Sequence, residues 1–137
     1  GLLSGHLAGG NLSVLSALVG TPYAPQFGRT LLFLEEIGEA PYRIDRMLTQ
    51  LRQCGALDQA GGIMLGVFRN CSPRDGEASL SLADTIDEHI GRIDVPSVYG
   101  YSFGHIAHQY TLPVGARAAV DPQCGTVTIL DAATTAD

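Results

Sequence analysis

Apolar positions along the chain fall into runs whose period changes several times, and each change marks an element. Gly1 to Ala8 reads as a short strand. After Gly9-Gly10-Asn11, the residues Leu12, Leu15, Leu18 and Val19 recur at helical spacing, with Asn11 as N-cap and Gly20-Thr21-Pro22 as terminator. Thr30 to Leu34 is a brief run of strand formers. Ile44, Met47, Leu48, Leu51 and Cys54 then return to helical spacing. Pro41 suits the first position of that helix, because its missing N–H would be unpaired there, and Gly55 suits a left-handed C-terminal cap. Gly61 to Phe68 is continuously apolar, the pattern of a strand covered on both faces. Arg69 to Ser79 is polar and reads as a loop; Leu80 to Ile90 reads as a helix with Leu82, Ile86 and Ile90 facing one way. Val95 to Gly100 is a strand with Pro96 among its first residues, where no ladder donor is lost. Ala116 to Val120 and Thr126 to Leu130 form a hairpin around Asp121-Pro122-Gln123-Cys124-Gly125, and Asp131 onward is expected to fray. Strands and helices that alternate before a closing hairpin predict an α/β domain with a mixed sheet.

Composition narrows the functions open to such a domain. A length of 137 residues fits one domain with a real core, and 45% apolar with 16% charged content is that of a globular chain. A net charge of −6 with only eight basic residues and no basic cluster argues against nucleic acid and anionic membranes as partners. Cys54, Cys71 and Cys124 are scattered, and neither Cys-x-x-Cys nor a zinc-like His/Cys spacing occurs, so reduced thiols and no metal or cofactor are expected. No signal peptide or membrane-spanning run is visible, which leads to the expectation of a cytoplasmic protein. Gly1 already lies inside a structural element, the pattern of an excised fragment.

Chemistry concentrates in two places. Glu35, Glu36 and Glu39 follow the Thr30–Leu34 run, and Glu35 stands at the carboxyl end of that strand, where α/β folds collect ligands and catalytic groups. His105, in Tyr101-Ser102-Phe103-Gly104-His105, stands just beyond another strand end. Taken singly, an acidic loop and a loop histidine are ordinarily solvated. Gly9-Gly10-Asn11 could cradle an anion at a helix N-terminus, but a plain tight turn is the simpler reading. His108 lies close to His105 without its sequence context, His89 is expected to be exposed on its helix, and His6 has no evident role.

The two places gain meaning together. Leu-Glu-Glu-Ile-Gly-Glu-Ala-Pro-Tyr-Arg-Ile-Asp-Arg-Met-Leu, beginning at Leu34, resembles a signature of the LD-carboxypeptidases, also called muramoyltetrapeptide carboxypeptidases, serine peptidases of bacterial cell-wall recycling. Phe-Gly-His with the later Thr111-Leu112-Pro113-Val114-Gly115 resembles their second signature, and Gly-x-Leu-x-Gly-x-Leu-x-Gly-Gly-Asn-Leu resembles the opening of their C-terminal domain. The resemblance runs from Gly1 to about Leu130. It implies a three-layer β/β/α swivelling-type domain and a Ser-Glu-His triad with Glu35 as the orienting carboxylate and His105 as the base. It implies removal of the terminal D-alanine of murein tetrapeptides, and a homodimer. The family's nucleophilic serine belongs to an N-terminal domain; this chain has no Gly-x-Ser-x-Gly elbow, and Ser102 is too near its own base in sequence to be that serine. Residues 1–137 therefore resemble the C-terminal half of a two-domain enzyme, inactive alone, with its own N-terminal domain as partner. Relatives that cleave an acyl-nucleotide antibiotic share the triad, and a non-catalytic small-ligand binding module is the reading from another class. With the serine side of the cleft empty, and Gly100 and Gly104 bracketing the loop, the Glu35–His105 pair is expected to be loose or broken.

Overall fold

The computed structural model describes residues 1–76 and 78–134, and in it the predicted elements assemble around one six-stranded sheet. In chain order they are β1 (Leu3–Asn11), α1 (Leu12–Leu18), β2 (Thr30–Ile37), α2 (Pro41–Gln53), β3 (Gly62–Arg69), α3 (Leu82–Ile86), β4 (Ser97–Tyr99), β5 (Arg117–Asp121) and β6 (Thr126–Ile129). A π-helical turn, Asp87–Gly91, continues α3. Sheet order is β4-β3-β2-β1-β5-β6, with β1 to β4 parallel and β5 and β6 antiparallel. The α/β class and the mixed sheet are as expected.

Alternation along the strands sorts two cores. Leu32 and Leu34 of β2 face the helices, joining Leu12 and Leu15 of α1, Ile44, Leu48 and Leu51 of α2, and Ile90 beyond α3. Leu31 and Phe33 face the other way, joining Leu7, Met64, Tyr101, Phe103, Ala118 and Val120. Both faces of β2 are thus dry, which is why its run is apolar without a break. The sheet curls: Pro122 and Gly125 of the hairpin turn share a surface groove with Ser97 to Tyr101 beside the far edge. The hairpin therefore leans over the helix-free face, and the layers stack as β/β/α.

Helix ends follow their local chemistry. Pro41 opens α2, and Gly55, at φ 78°, closes it: the Ala56 N–H donates to Leu51 O and the Gly55 N–H to Arg52 O, both at 2.9 Å. The hairpin turn closes through the Gly125 N–H to Asp121 O at 2.8 Å.

Four expectations need correction. Gly9, Gly10 and Asn11 continue β1 instead of forming a turn. A Cβ on Gly9 would sit 1.9 Å from Phe33 O, so this glycine serves a close approach of β1 to β2. Second, β2 runs on to Ile37, so Glu35 and Glu36 lie inside a strand, and of the three acids only Glu39 belongs to the turn. Third, the 80–90 helix starts at Leu82, behind a Ser81–Asp84 capping box, and widens into a π turn at Asp87. His89 is buried on it, three residues past Ile86 and on the same face, where Asp45 of α2 accepts from its Nε2–H at 2.8 Å. Fourth, Asp131 does not fray: its carboxylate accepts from the Arg117 N–H at 2.9 Å and from Arg117 Nε at 3.1 Å. Residues 135–137, the rest of the stretch expected to fray, lie outside the described residues.

Candidate active site

Consecutive strand residues point to opposite faces, so Glu35 and Glu36 part company. Glu35 continues the Leu31–Phe33 row away from the helices; Glu36 continues the Leu32–Leu34 row toward them. Both are buried.

A bulge in β3 makes the site next to Glu35. Leu34 pairs with Leu65 and Glu36 with Phe68, so two β3 residues, Gly66 and Val67, oppose Glu35 alone. Freed from the regular ladder, the bulge pairs outward: the Val67 N–H donates to Phe103 O at 3.0 Å, while the Gly100 and Tyr101 N–H groups donate to Leu65 O at 3.1 and 3.3 Å. The Phe103 ring lies over Gly66, where a Cβ would come within 2.5 Å of it, and meets Phe33 edge-on at 5.7 Å. Gly104 follows at φ 116°, and a Cβ there would stand 2.8 Å from Glu35 Oε2. The loop can reach the carboxylate because residue 104 has no side chain.

His105 is thereby delivered to Glu35. Its Nδ1–H donates to Glu35 Oε2 at 2.8 Å. The imidazole is 51% exposed and the Glu35 side chain 8%, so a sheltered carboxylate holds a ring that still faces solvent. Arg69 Nη1 donates to His105 O at 3.0 Å, and the Tyr110 N–H closes the loop on Ser102 O at 2.8 Å. The expected loose or broken pair is therefore not found. The anchors of the loop, Leu65, Val67 and Arg69, all come from β3 within this chain, so the pair forms without help from another domain.

The ring opens onto a cleft of about 780 Å³ bordered by Gly9, Gly10, Phe33, Glu35, Arg69 and the His105 loop. With Nδ1 committed to Glu35, Nε2 is the nitrogen left to the cleft as proton acceptor. A carboxylate-oriented neutral imidazole is a general base with a fixed tautomer.

The remaining candidates divide cleanly. Glu36, grouped by the sequence with its neighbours, is fully engaged: it accepts from Asn11 Nδ2, the Ser13 N–H, Ser13 Oγ and the Ile37 N–H at 2.7–2.9 Å. The anion at the start of α1 is thus Glu36 of this same chain, and continued alternation from Leu32 and Leu34 is the signal that could have found it. Glu39 pairs with Arg43 at 3.3 Å near the surface. His6 donates from Nδ1 to Gly115 O at 3.0 Å, and His108 is exposed, the Glu35 hydrogen bond going to His105 instead. Burial pushes the Cys71 thiol up, and a hydrogen bond with Asp121 pushes Cys124 up, so neither offers a ready thiolate. Among the described residues no group of three His, Cys, Asp or Glu could hold a metal ion, and no helix is long and apolar enough to cross a membrane. Arg69, read from sequence as the first residue of a loop, ends β3 and borders the cleft.

Comparison with known proteins gives a consistent set of likenesses. Residues 4–120 match the family model described as the LD-carboxypeptidase C-terminal domain. A probable murein peptide carboxypeptidase of Bacillus subtilis is 42% identical over 121 residues, 88% of this chain and 38% of that protein. The crystal structure of a muramoyltetrapeptide carboxypeptidase from Oxalobacter formigenes superposes with a TM-score of 0.82 at 35% identity, covering 93% of this chain and 44% of that one. The microcin C7 self immunity protein MccF, in complex with aspartyl sulfamoyl adenosine, superposes at 0.85 over 98% of this chain and 40% of its own; at 22% identity that likeness concerns the fold alone. The chain spans about two fifths of the length of the relatives it matches.

Proposed function

The chain belongs to the LD-carboxypeptidase family, in the part described as its C-terminal domain, and from that premise we propose that it supplies two members of a Ser-Glu-His triad, Glu35 and His105. The observation that carries the reading is the 2.8 Å hydrogen bond from His105 Nδ1 to a Glu35 carboxylate buried at the floor of an open cleft. The nucleophile is a serine of a domain outside these residues, and the substrate is a murein tetrapeptide that loses its terminal D-alanine. The names of the B. subtilis and O. formigenes relatives support that substrate class.

In the proposed reaction, His105 Nε2 takes the proton of the serine hydroxyl as its oxygen attacks the peptide carbonyl. Glu35 stabilises the imidazolium that forms and keeps the ring from turning. The same Nε2 returns the proton to the leaving amine, the C–N bond breaks, and an acyl-serine remains. Water then attacks the ester with His105 again as base, releasing the tripeptide and restoring the serine. General base catalysis of this kind contributes about a hundred- to ten-thousand-fold. The whole protein works in the cytoplasm as a homodimer, and this chain alone lacks the nucleophile and is inactive.

The test uses the full-length protein and a muramyl tetrapeptide, with release of D-alanine as the readout. Hydrolysis by the full-length protein, its loss in His105→Ala, and none by the 137-residue chain are expected. Turnover by the 137-residue chain, or a fully active His105→Ala, overturns the reading.

A further inference from the structure

Arg69 carries a second consequence. Among the described residues it is, besides His105, the one basic side chain bordering the cleft, and it is exposed. Among the described residues its charge is paired with no carboxylate, unlike those of three other arginines. Arg43 lies against Glu39, Arg92 against Glu88 and Arg117 against Asp131. Among the described residues, the hydrogen-bond partner of the Arg69 guanidinium is a neutral carbonyl, His105 O, through Nη1 at 3.0 Å. That bond fixes the planar fork and leaves its other N–H groups to the cleft.

The surroundings make such a cation consequential. The chain carries a net charge of −6, and Glu35 places a carboxylate in the same cleft. An anionic substrate group entering there meets repulsion unless a fixed positive charge receives it. Resting on the carboxypeptidase reading, the chemistry says which group that is. His105 returns a proton to the leaving amine, and in a C-terminal amino acid the α-carboxylate is one carbon from that nitrogen. A guanidinium tied to the backbone of His105 lines the same cleft as the base that protonates that amine.

We propose that Arg69 is a specificity-determining residue that receives the α-carboxylate of the departing C-terminal amino acid, thereby restricting the protein to the last peptide bond of its substrate. A guanidinium suits this better than an ammonium, because its parallel N–H groups match a carboxylate two to two. One fork arm spent on His105 O fixes the cation's place relative to the base, so recognition and proton transfer are set in a common frame.

The experiment measures kcat, KM and the pH–rate profile of the full-length protein on a tetrapeptide with a free C-terminal carboxylate and on the same peptide as its C-terminal amide. Arg69→Gln, with the kcat and pH-profile readouts reporting any effect of the altered His105 O contact, removes the charge while leaving a shorter amide donor at the same position. It is expected to raise KM for the acid on the order of 10- to 100-fold, the worth of a charge-assisted contact, with kcat and the pH profile little changed. The preference for acid over amide collapses accordingly, and Arg69→Lys recovers part of it. A fall in kcat of equal size for both substrates, or a displaced pH profile, would show that Arg69 merely props the His105 loop and overturns the proposal while leaving the triad reading intact. Unchanged KM and preference overturn it too. A wild-type protein that hydrolyses neither peptide sinks the triad reading first and this proposal with it.

Discussion

Glu35 and Glu36 are the same residue type, adjacent in one strand, and both buried. They nevertheless do opposite things. Glu36 is surrounded by donors from the chain itself: an amide side chain, two backbone N–H groups and a hydroxyl hold its two oxygens between β2 and the start of α1. Nothing about it is left to react. Glu35 accepts from a ring that is half exposed and can itself gain or lose a proton. One carboxylate is consumed by structure, and the other is the one that the proposed triad uses for chemistry. The distinction comes from the partner, since burial and sequence context are shared. It is made by a one-residue alternation that sends Glu36 toward the rigid helix layer and Glu35 toward a bulged strand and a loop.

That contrast is sharpest under substitution. Glu35→Gln preserves shape and removes the charge that holds the imidazole in its tautomer. In the full-length protein kcat is expected to fall on the order of 10³- to 10⁴-fold, with little change in the urea midpoint. Glu36→Gln should do the reverse. An amide nitrogen would face the donors of Ser13 or Asn11, leaving buried groups mispaired, at a cost of about 2–4 kcal/mol in urea unfolding. Activity of the folded fraction should survive. If Glu36→Gln proved the more damaging to kcat, the wrong carboxylate would have been assigned to the base.

Much of this was legible in the sequence, and the failures share one cause. Helix starts and stops at Asn11, Pro41 and Gly55 were readable, since they depend on neighbours within a few residues. So was the Asp121–Gly125 turn. The joint placement of Glu35 and His105, 70 residues apart, was legible through the family signatures and not through periodicity. What could not be read was set by partners distant in the chain. Gly9 looks like a turn former until β1 and β2 are packed together, and His89 looks exposed until Asp45 lies opposite it. The short Glu35–His105 pair was missed for the same reason. Glycine at 104 suggested freedom, whereas here it allows the closest approach of loop to carboxylate.

Gly104→Ala tests that last point directly. The added methyl would stand 2.8 Å from Glu35 Oε2 and 3.2 Å from Val67 O, on a backbone at φ 116° that side chains rarely adopt. Strain of about 1–3 kcal/mol is most easily relieved by lifting the loop. A loss of about 10- to 100-fold in kcat is expected, smaller than for Glu35→Gln, with the helix-face core untouched. Imidazole NMR should report the change as loss of the downfield Nδ1 proton. Retention of that signal with full activity would show that the loop can absorb the methyl elsewhere.

Asp131 offers the mildest version of the comparison, because it resembles Glu36 in its donors but sits at the surface. The backbone N–H of Arg117, followed by its guanidinium, holds the Asp131 carboxyl below its ordinary value. Asp121 is held down in the same way by the backbone N–H groups of Gln123 and Cys124. For a carboxylate whose folded pKa is depressed, the folded state binds its proton less readily than the unfolded chain. The stabilisation is complete above the unfolded value of about 4 and is lost as pH falls through the folded value. Both groups therefore steepen the acid limb of the stability curve below about pH 4 and leave it flat at neutral pH. Asp131→Asn should flatten part of that limb, since the Asn side-chain oxygen can still accept from Arg117 but no longer titrates. Solvent screens this exposed pair, so the change is expected to be small beside that of Glu36→Gln. Urea midpoints at pH 3 and pH 7 for the variant and the parent would measure it. A loss at pH 3 as large as that at pH 7 would mean that Asp131 acts through something other than its charge.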